Sequence, residues 1–456
     1  QLNFNTYTGY QSVTKRYDVL NTLDYLKYAA ELGVFPDRPL ELYQNNTDWQ
    51  DEVFRQGIIQ DYNLSFSKGD EKGSQYFSAE YLKQEGTLIE TGFERYSFRA
   101  NSSAKFGKLT VGESMSVAFS KQNPELSSGG RTVLEHAVKS APYLPVYNPN
   151  NLGGFQGPSS SADGQDAENP VRVQTLGSAI NRNVGLIGNI YAELEILDGL
   201  NFKSQVGLDY YTYNNKRFIP SYSDDSVTGS TTHAQDYASI SRSKGYGQTI
   251  IFNNSLRYNK TIADYHNFEL LALVEKYEGR SENESSSSRN GVTDEVDQLS
   301  NEDSSLGSSS YETNKLGYLG RINYNYDNKY IASGSIRRDA SSRFGSNKRW
   351  ANFYSGSLGW NIAKENFMKN TAFSTLKLRT SYGTTGSDGI GDYLYAPTLT
   401  GGVEYPINDE VAFGVTENGG ANEDLQWESK EIVNAGLDIG LFNEKVTASL
   451  EYYKNT

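Results

Sequence analysis

The sequence predicts an all-β protein, and its pattern favours a transmembrane antiparallel β-barrel over a soluble β-sandwich. Polar and apolar residues alternate along many segments, and the connections between these segments alternate between short and long. The 456 residues include 43 glycines, 34 tyrosines and 20 phenylalanines, a composition typical of strands and turns. The mean hydropathy of −0.63 resembles that of a soluble protein. A water-filled barrel has the same low average, because it separates polar from apolar residues by face.

The alternation places individual strands. Clear examples lie at residues 61–67, 76–82, 186–196, 201–210, 321–326, 376–382 and 433–441. In the first of them Tyr62, Leu64 and Phe66 share one face and polar residues occupy the other. In a barrel the apolar faces would contact lipid and the polar faces would line the lumen. In a sandwich the apolar faces would form the core, so alternation alone leaves both folds open.

The connections distinguish the two folds. About fifteen strands are predicted from Gln1 onwards. Long loops are predicted at about 16–60, 123–182, 220–237, 282–314 and 387–427, with short turns between most of them. This arrangement is typical of a barrel with a periplasmic and an extracellular side, whereas a Greek-key sandwich distributes its loop lengths more evenly. Residues 1–456 are therefore predicted to form one partial barrel domain. The odd strand count, with alternation at both ends, predicts a piece of a longer chain.

One helix is predicted inside the first long loop. Asn21 can cap it, Asp24 lies in its first turn, and an apolar stripe that includes Leu26 ends near Gly33. The stripe would pack within the loop or contact a partner, and local packing is the simpler interpretation. The serine-rich stretch at 281–310 is predicted to be a mobile loop.

The composition argues against several functions. The formal net charge of −14 argues against nucleic acid as a partner, because neutralising phosphates requires a basic excess. The chain has no cysteine, which removes thiolate metal sites and cysteine nucleophiles. Its three histidines lack the spacing of metal ligands. No catalytic residue, metal or cofactor is therefore predicted, and the protein is not expected to be an enzyme.

Loop side chains are the candidates for substrate binding. Aromatic rings can stack on sugars, and carboxylates can accept hydrogen bonds from hydroxyl groups. The candidate substrate contacts are Tyr143, Tyr147, Tyr222, Asp224, Tyr393, Tyr395 and Tyr405. Acidic clusters such as Asp224 with Asp225 could instead hold a hard cation, although solvated loop charge is favoured.

The densest charge group consists of Arg337, Arg338, Asp339 and Arg343. It is interpreted as an internal ion-pair network rather than as an anion-binding patch. A charged side chain facing lipid at the midplane would cost about 2–4 kcal/mol, so these residues should point inward or lie beyond the hydrocarbon.

Several longer segments resemble the TonB-dependent outer-membrane transporters of the SusC type, also called RagA/SusC. They are SIRRDASSRFG at 335–345, STLKLRTSYGTTG at 374–386 and NEDLQWE at 422–428, and the early strands match in order. The sequence departs from the family pattern at Ala340, where glycine is usual, and at Glu423, where proline is common. The resemblance implies about 15 strands of a barrel of about 22, with the N-terminal plug absent from this sequence.

The resemblance also implies a function, namely TonB-dependent active import of oligosaccharides or oligopeptides across the outer membrane of a Gram-negative, Bacteroidetes-like cell. The implied partners are a SusD-like surface lipoprotein, TonB acting through the absent N-terminal region, a glycan or peptide ligand, and outer-membrane lipid. No cofactor is implied. Two alternatives remain open: a secreted all-β glycan-binding or structural protein, and a passive porin. The identity of the substrate does not follow from the sequence.

Overall fold

The computed structural model describes residues 1–159, 163, 167–225, 233–289, 293–300, 303–408 and 410–456. In these ranges the strands are β1 (Leu2–Gln11), β2 (Gly57–Asp70), β3 (Gly73–Glu85), β4 (Gly92–Phe106), β5 (Leu109–Asn123), β6 (Ser178–Leu197), β7 (Leu200–Ile219), β8 (Tyr222–Ser223), β9 (Ala234–Gln235), β10 (Ser239–Ile262), β11 (His266–Ser288), β12 (Ser304–Tyr326), β13 (Tyr330–Ser341), β14 (Trp350–Asn361), β15 (Phe373–Ser387), β16 (Thr398–Ile407), β17 (Glu410–Asn418), β18 (Glu428–Leu441) and β19 (Val446–Asn455). The α-helices are α1 (Thr22–Glu31), α2 (Trp49–Val53), α3 (Val133–Lys139) and α4 (Pro170–Thr175).

Fifteen of the strands in the described ranges form one antiparallel sheet, in which each strand pairs with the next sheet strand along the chain. The short strands β8 and β9 pair only with each other, as do β16 and β17. The predicted all-β fold and the count of about fifteen strands are confirmed. The order is that of an up-and-down barrel wall, with β1 at one edge and β19 at the other.

The register separates an apolar face from a polar face. Val206 of β7 lies in one row with Ile190 of β6 and Phe252 of β10. The next residue along β7, Gln205, lies on the opposite face between Tyr191 and Asn253. We call the Val206 side the outer face and the Gln205 side the inner face. An apolar outer face and a polar inner face are the arrangement of a membrane barrel.

Aromatic side chains form bands at both ends of the outer face. On the loop side, Tyr318 stacks on Trp350 with ring centroids 6.1 Å apart. On the turn side, Tyr326 stacks on Tyr330 at 6.0 Å. Such bands mark the two membrane–water interfaces of outer-membrane barrels.

The central strands are longer than a membrane requires. Strands β10, β11 and β12 contain 24, 23 and 23 residues, whereas about 9–11 residues span a bilayer. The predicted loop at 282–314 is wrong in its bounds, because β11 continues to Ser288 and β12 begins at Ser304. The serine-rich sequence has no apolar alternation, but main-chain pairing does not need it. The sheet therefore projects beyond the loop-side aromatic band.

The helix predicted in the first loop is confirmed as α1. The Asn21 side chain accepts a hydrogen bond from the Asp24 main-chain N–H at 3.0 Å, and Gly33 follows the helix with a φ of +68°. This φ lies in the left-handed region, where glycine is favoured. Within the described residues, no helix combines the length and the apolar character needed to cross a membrane.

Three of the long loops pack into one unit with a core of its own. We call this unit the loop cluster; it consists of the described residues of 12–56, 124–177 and 220–238. Its core includes Trp49, Val53, Val133, Tyr143 and Leu144, all buried. The loop cluster thus carries a conventional apolar core, whereas the sheet presents its apolar side chains on the outer face.

Candidate functional site

A buried cation joins the three loops of the loop cluster. The Arg38 guanidinium forms ion pairs with Asp225 and, at 3.3 Å, with Asp163. Asp163 also accepts a hydrogen bond from the Tyr143 hydroxyl. The Tyr143 ring is fully buried and packs against Tyr43 with centroids 5.4 Å apart. Burial and the neighbouring Asp163 raise the pKa of Tyr143. The hydroxyl therefore stays protonated and acts as the hydrogen-bond donor to Asp163.

A second buried cation lies nearby. Arg172 of α4 pairs with Glu168 and, at 2.6 Å, with Asp224, and its guanidinium stacks on the Tyr222 ring at 3.8 Å. Burial alone would lower the pKa of Arg172, but the two carboxylates raise it above its ordinary value. The interpretation of Asp224 and Asp225 as solvated loop charge is wrong, because both side chains are buried against arginines. In the described part of the chain, no His or acidic residues form a group of three that could hold a metal.

His136 of α3 is buried in the same unit as a neutral ring. Its Nδ1 accepts a hydrogen bond from the Glu168 main-chain N–H at 3.0 Å, so the proton is assigned to Nε2, which lies 3.2 Å from the Ser128 carbonyl oxygen. Burial lowers the pKa of His136. A proton added at Nδ1 would break the bond to Glu168.

The loop cluster is therefore expected to lose stability in acid. The unfolded loop takes up a proton on His136 near pH 6.5 (about the free value), whereas the folded loop takes it up only at a lower pH. The stabilisation is complete above about pH 6.5 and is lost as the pH falls from there through the pKa of the folded state. Hydrogen-exchange protection of residues 124–159, corrected for intrinsic rates, should be lower at pH 5.5 than at pH 7.5. His136→Gln should weaken this dependence, and an unchanged dependence would rule out His136 as its source.

A polar pocket lies where the loop cluster meets the inner face. It has a volume of about 370 Å³, and we call it the inner polar pocket. Its inner-face side chains include Asn181, Asn215, Arg217, Ser241, Ser243 and Ser287. Arg217 donates a hydrogen bond to the Ser127 carbonyl oxygen at 2.6 Å. Among the described residues, the Arg217 Nε and the Asn215 Oδ1 have no hydrogen-bond partner. Lys216, Arg242 and Glu125 also line the pocket, which thus combines cations with a carboxylate, amides and hydroxyls.

A second ordered site follows β13. Arg343 Nε binds Asp392 at 2.8 Å, and its Nη1 donates to the Asp388 carbonyl oxygen at 3.0 Å. The Asp388 carboxylate contacts Lys315 at 2.7 Å and Ser341 at 2.8 Å. Burial alone would raise the pKa of Asp388, but the bonds from Lys315 and Ser341 hold it below its ordinary value.

Aromatic packing joins this site to the other segments that carry the family resemblance. Phe344 is fully buried, and its ring lies 5.4 Å from that of Trp427. Phe353 contacts the same Trp427 at 5.7 Å. A Cβ at Gly386 would lie 2.1 Å from the Phe353 ring, so only glycine fits there without displacing that ring. The three segments therefore meet in one packed structure at the loop side of the sheet.

The structure divides the predicted charge network into three environments. On the inner face, Arg337 pairs with Asp339 at 2.8 Å and with Glu275 at 3.0 Å. Arg343 lies in the loop site described above. Arg338 belongs to neither group; it lies on the outer face, with its guanidinium 4.9 Å from the Trp350 ring. The single network is therefore wrong in extent, because adjacent residues of a strand point to opposite faces.

Two predicted substrate contacts are enclosed by protein. Tyr143 and Asp224 are fully buried, so no ligand reaches them in this structure. This corrects their assignment, and the cause is the core of the loop cluster. Tyr222 is half-buried beneath Arg172. Tyr147 is exposed in the loop cluster.

The remaining candidates lie in the connection at 388–427. Tyr393 and Tyr405 are exposed, and Tyr395 is half-buried. The Tyr393 hydroxyl accepts a hydrogen bond from the Glu312 main-chain N–H at 3.1 Å. Sequence reasoning missed Asn215 and Arg217, although both continue the odd-numbered polar positions of the strand predicted at 201–210.

Comparison with known proteins identifies the family. No protein-family model matches the sequence. The chain is 32% identical over 452 residues to the TonB-dependent receptor P3 of Formosa agariphila, covering 95% of the chain and 44% of that protein. It is 26% identical over 487 residues to the TonB-dependent receptor SusC of Bacteroides thetaiotaomicron, covering 100% of the chain and 46% of that protein. In fold it resembles the structure of the RagAB peptide transporter, with a TM-score of 0.81 and 23% identity over 100% of this chain and 54% of that chain. The chain belongs to the TonB-dependent receptors of the SusC/RagA type.

This TonB-dependent receptor chain spans about half the length of the curated relatives it matches. Its family lies in the outer membrane, as the sequence predicted, so the loop side of the sheet is extracellular. The family consists of transporters, and this kinship confirms the expectation that the receptor is not an enzyme. The outer face of the receptor therefore contacts lipid, and its inner face is the interior side of the barrel wall.

Proposed function

We propose that the receptor imports a polar oligomer, an oligosaccharide or an oligopeptide, across the outer membrane with energy delivered through TonB. The inner polar pocket is the observation that carries this proposal. It lies at the extracellular end of the passage, and Arg217 and Asn215 each present a buried polar atom without a partner in the described residues. Such atoms favour a ligand that supplies hydrogen bonds.

The loop cluster supports binding at this position because it forms a rigid wall. Buried ion pairs at Arg38 and Arg172 hold its loops together, and the Ser127 carbonyl oxygen holds Arg217. A ligand that enters the mouth therefore meets side chains that are already ordered, which lowers the entropic cost of binding. The chemistry is binding and gated passage, with no covalent step.

A SusD-like lipoprotein is the proposed extracellular partner. Helix α1 buries Tyr25 and Leu26 against the core of the loop cluster, as local packing predicts. The loop that contains this helix also exposes Leu23, Phe35 and Leu40 to solvent. Exposed apolar side chains grouped in one loop support a protein contact.

Uptake of labelled oligosaccharides and oligopeptides tests the proposal. The double substitution Asn215→Ala with Arg217→Gln should lower uptake of the transported class by at least about tenfold, since it removes a charged and a neutral hydrogen-bonding group. Lys276→Gln is the control, because Lys276 shares an outer-face row with Phe252 and does not line the pocket. Equal losses in the two variants would count against cargo binding in the pocket.

Deletion of the TonB system tests the energy requirement and the alternatives. We expect uptake by the receptor to stop. Unchanged uptake would favour the passive porin, and a protein that stays soluble without detergent would favour the secreted glycan-binding or structural alternative.

A further inference from the structure

A carboxylate lies beside the aromatic band on the turn side of the outer face, which is the periplasmic side. It belongs to Glu365, in the connection between β14 and β15. Its Oε1 accepts hydrogen bonds from the Tyr330 hydroxyl at 2.6 Å and from the Trp360 indole N–H at 3.1 Å. Tyr330 and Trp360 face each other across β13 and β14, and Tyr326 stacks on Tyr330. We call Tyr326, Tyr330, Trp360 and Glu365 the periplasmic aromatic site.

The periplasmic aromatic site lies at the level of the lipid headgroups, because its rings belong to the band that marks the membrane–water interface. Two outer-face rows follow it toward the membrane across β12, β13 and β14. The first row is Tyr324, Ala332 and Leu358, and the second is Ile322, Gly334 and Gly356. Neither row contains a charged residue, and Leu358 is 63% exposed. The site is therefore continuous with the apolar surface that contacts lipid.

The Glu365 carboxylate forms no ion pair with any described residue. Both aromatic hydrogen bonds end on its Oε1, so its Oε2 accepts none from the described part of the chain. The bonds from Tyr330 and Trp360, with a smaller contribution from the charge of Lys329, lower the pKa of Glu365. Lys329 itself pairs with Asp327 at 3.7 Å. The carboxylate is therefore charged at neutral pH, and one of its oxygens can accept hydrogen bonds from a cation.

We propose that the periplasmic aromatic site binds the ethanolamine headgroup of a phospholipid in the periplasmic leaflet. The primary ammonium of this headgroup donates hydrogen bonds to Glu365 Oε2. The neighbouring Trp360 ring adds a cation–π attraction. A lipid is favoured over a free amine because its acyl chains extend along the outer face past Leu358. A headgroup with an ammonium is favoured over an anionic one because the Glu365 carboxylate repels a phosphate without a compensating cation.

The test uses the intact receptor in neutral detergent, with native mass spectrometry as the readout. Phosphatidylethanolamine should bind about tenfold more tightly than phosphatidylglycerol with the same acyl chains. Glu365→Gln should abolish this preference, because glutamine keeps an oxygen for Tyr330 and Trp360 but removes the charge. Glu444→Gln is the matched control and should keep the preference. Glu444 lies in the turn between β18 and β19, where it accepts a hydrogen bond from the Thr375 hydroxyl at 2.8 Å. Heat-modifiable migration on a gel verifies that each variant folds.

Further arms separate the sources of the ammonium group. Phosphatidylcholine keeps the positive charge but has no N–H donor, so its affinity should lie between those of the other two lipids. Trp360→Phe removes one donor to Glu365 and should weaken phosphatidylethanolamine binding by about threefold. Free ethanolamine at millimolar concentration should not displace the bound lipid. A preference that survives in Glu365→Gln, or equal binding of phosphatidylethanolamine and phosphatidylglycerol by the unmodified receptor, would overturn the proposal. Complete displacement by ethanolamine would also overturn it, because the site would then bind a soluble amine. The proposal does not depend on the import of any cargo.

Discussion

Replacing Arg38 with methionine is expected to open the loop cluster at a cost of about 3–5 kcal/mol, because it removes the cation between two buried carboxylates. Arg38 faces Asp163 from one loop and Asp225 from another, and all three side chains are nearly inaccessible to solvent. Methionine retains the bulk of the side chain but cannot compensate either charge. The loss should be local, because the sheet is held by its own main-chain ladder.

Hydrogen exchange of the receptor in detergent measures this effect. Protection should fall in residues 12–56 and 124–159, while heat-modifiable migration on a gel stays normal. Arg16→Met is the matched control in the same loop, because Arg16 pairs with Asp51 where the side chains are 43% and 65% exposed. Such a pair contributes at most about 1 kcal/mol. Unchanged protection in Arg38→Met would show that the buried pairs do not hold the loops together.

Replacing Val206 with arginine is expected to destabilise the sheet in a bilayer by about 2–4 kcal/mol, the cost of a cation on the lipid face near the midplane. Val206 lies between Ile190 and Phe252 in its row, so both side chains next to the new charge would be apolar. Gln205→Arg is the matched control. It lies one residue away on the inner face, between Tyr191 and Asn253, where water can solvate the charge.

Urea unfolding in lipid vesicles, followed by heat-modifiable migration on a gel, measures the two free energies of unfolding. The Val206 variant should unfold at a lower urea concentration than the Gln205 variant. Equal midpoints would contradict the assignment of the two faces. A larger cost at Gln205 would reverse that assignment.

The loops show where sequence reasoning succeeded and where it failed. Helix α1 was predictable because its cap, first turn and terminal glycine lie within thirteen residues, from Asn21 to Gly33. The pair formed by Arg38 and Asp225 was not predictable, because 187 positions separate them. The burial of Tyr143 and Asp224 depends on the same packing between distant segments. An acidic or aromatic loop residue has the same sequence signature whether it faces solvent or a buried arginine.

The alternation of residues along each strand determined, from the sequence by itself, which face of the sheet is polar and which is apolar. The side chain of a strand residue points to one face or the other according to its position, so alternation near Gln205 and Val206 suffices to assign a polar and an apolar face. The tertiary structure alone decided how far β11 and β12 project and which loop side chains are enclosed. It also placed a polar pocket between the loop cluster and the inner face of the strands. These features depend on contacts between distant segments, and polar extensions and loops have no periodicity that could reveal them in advance.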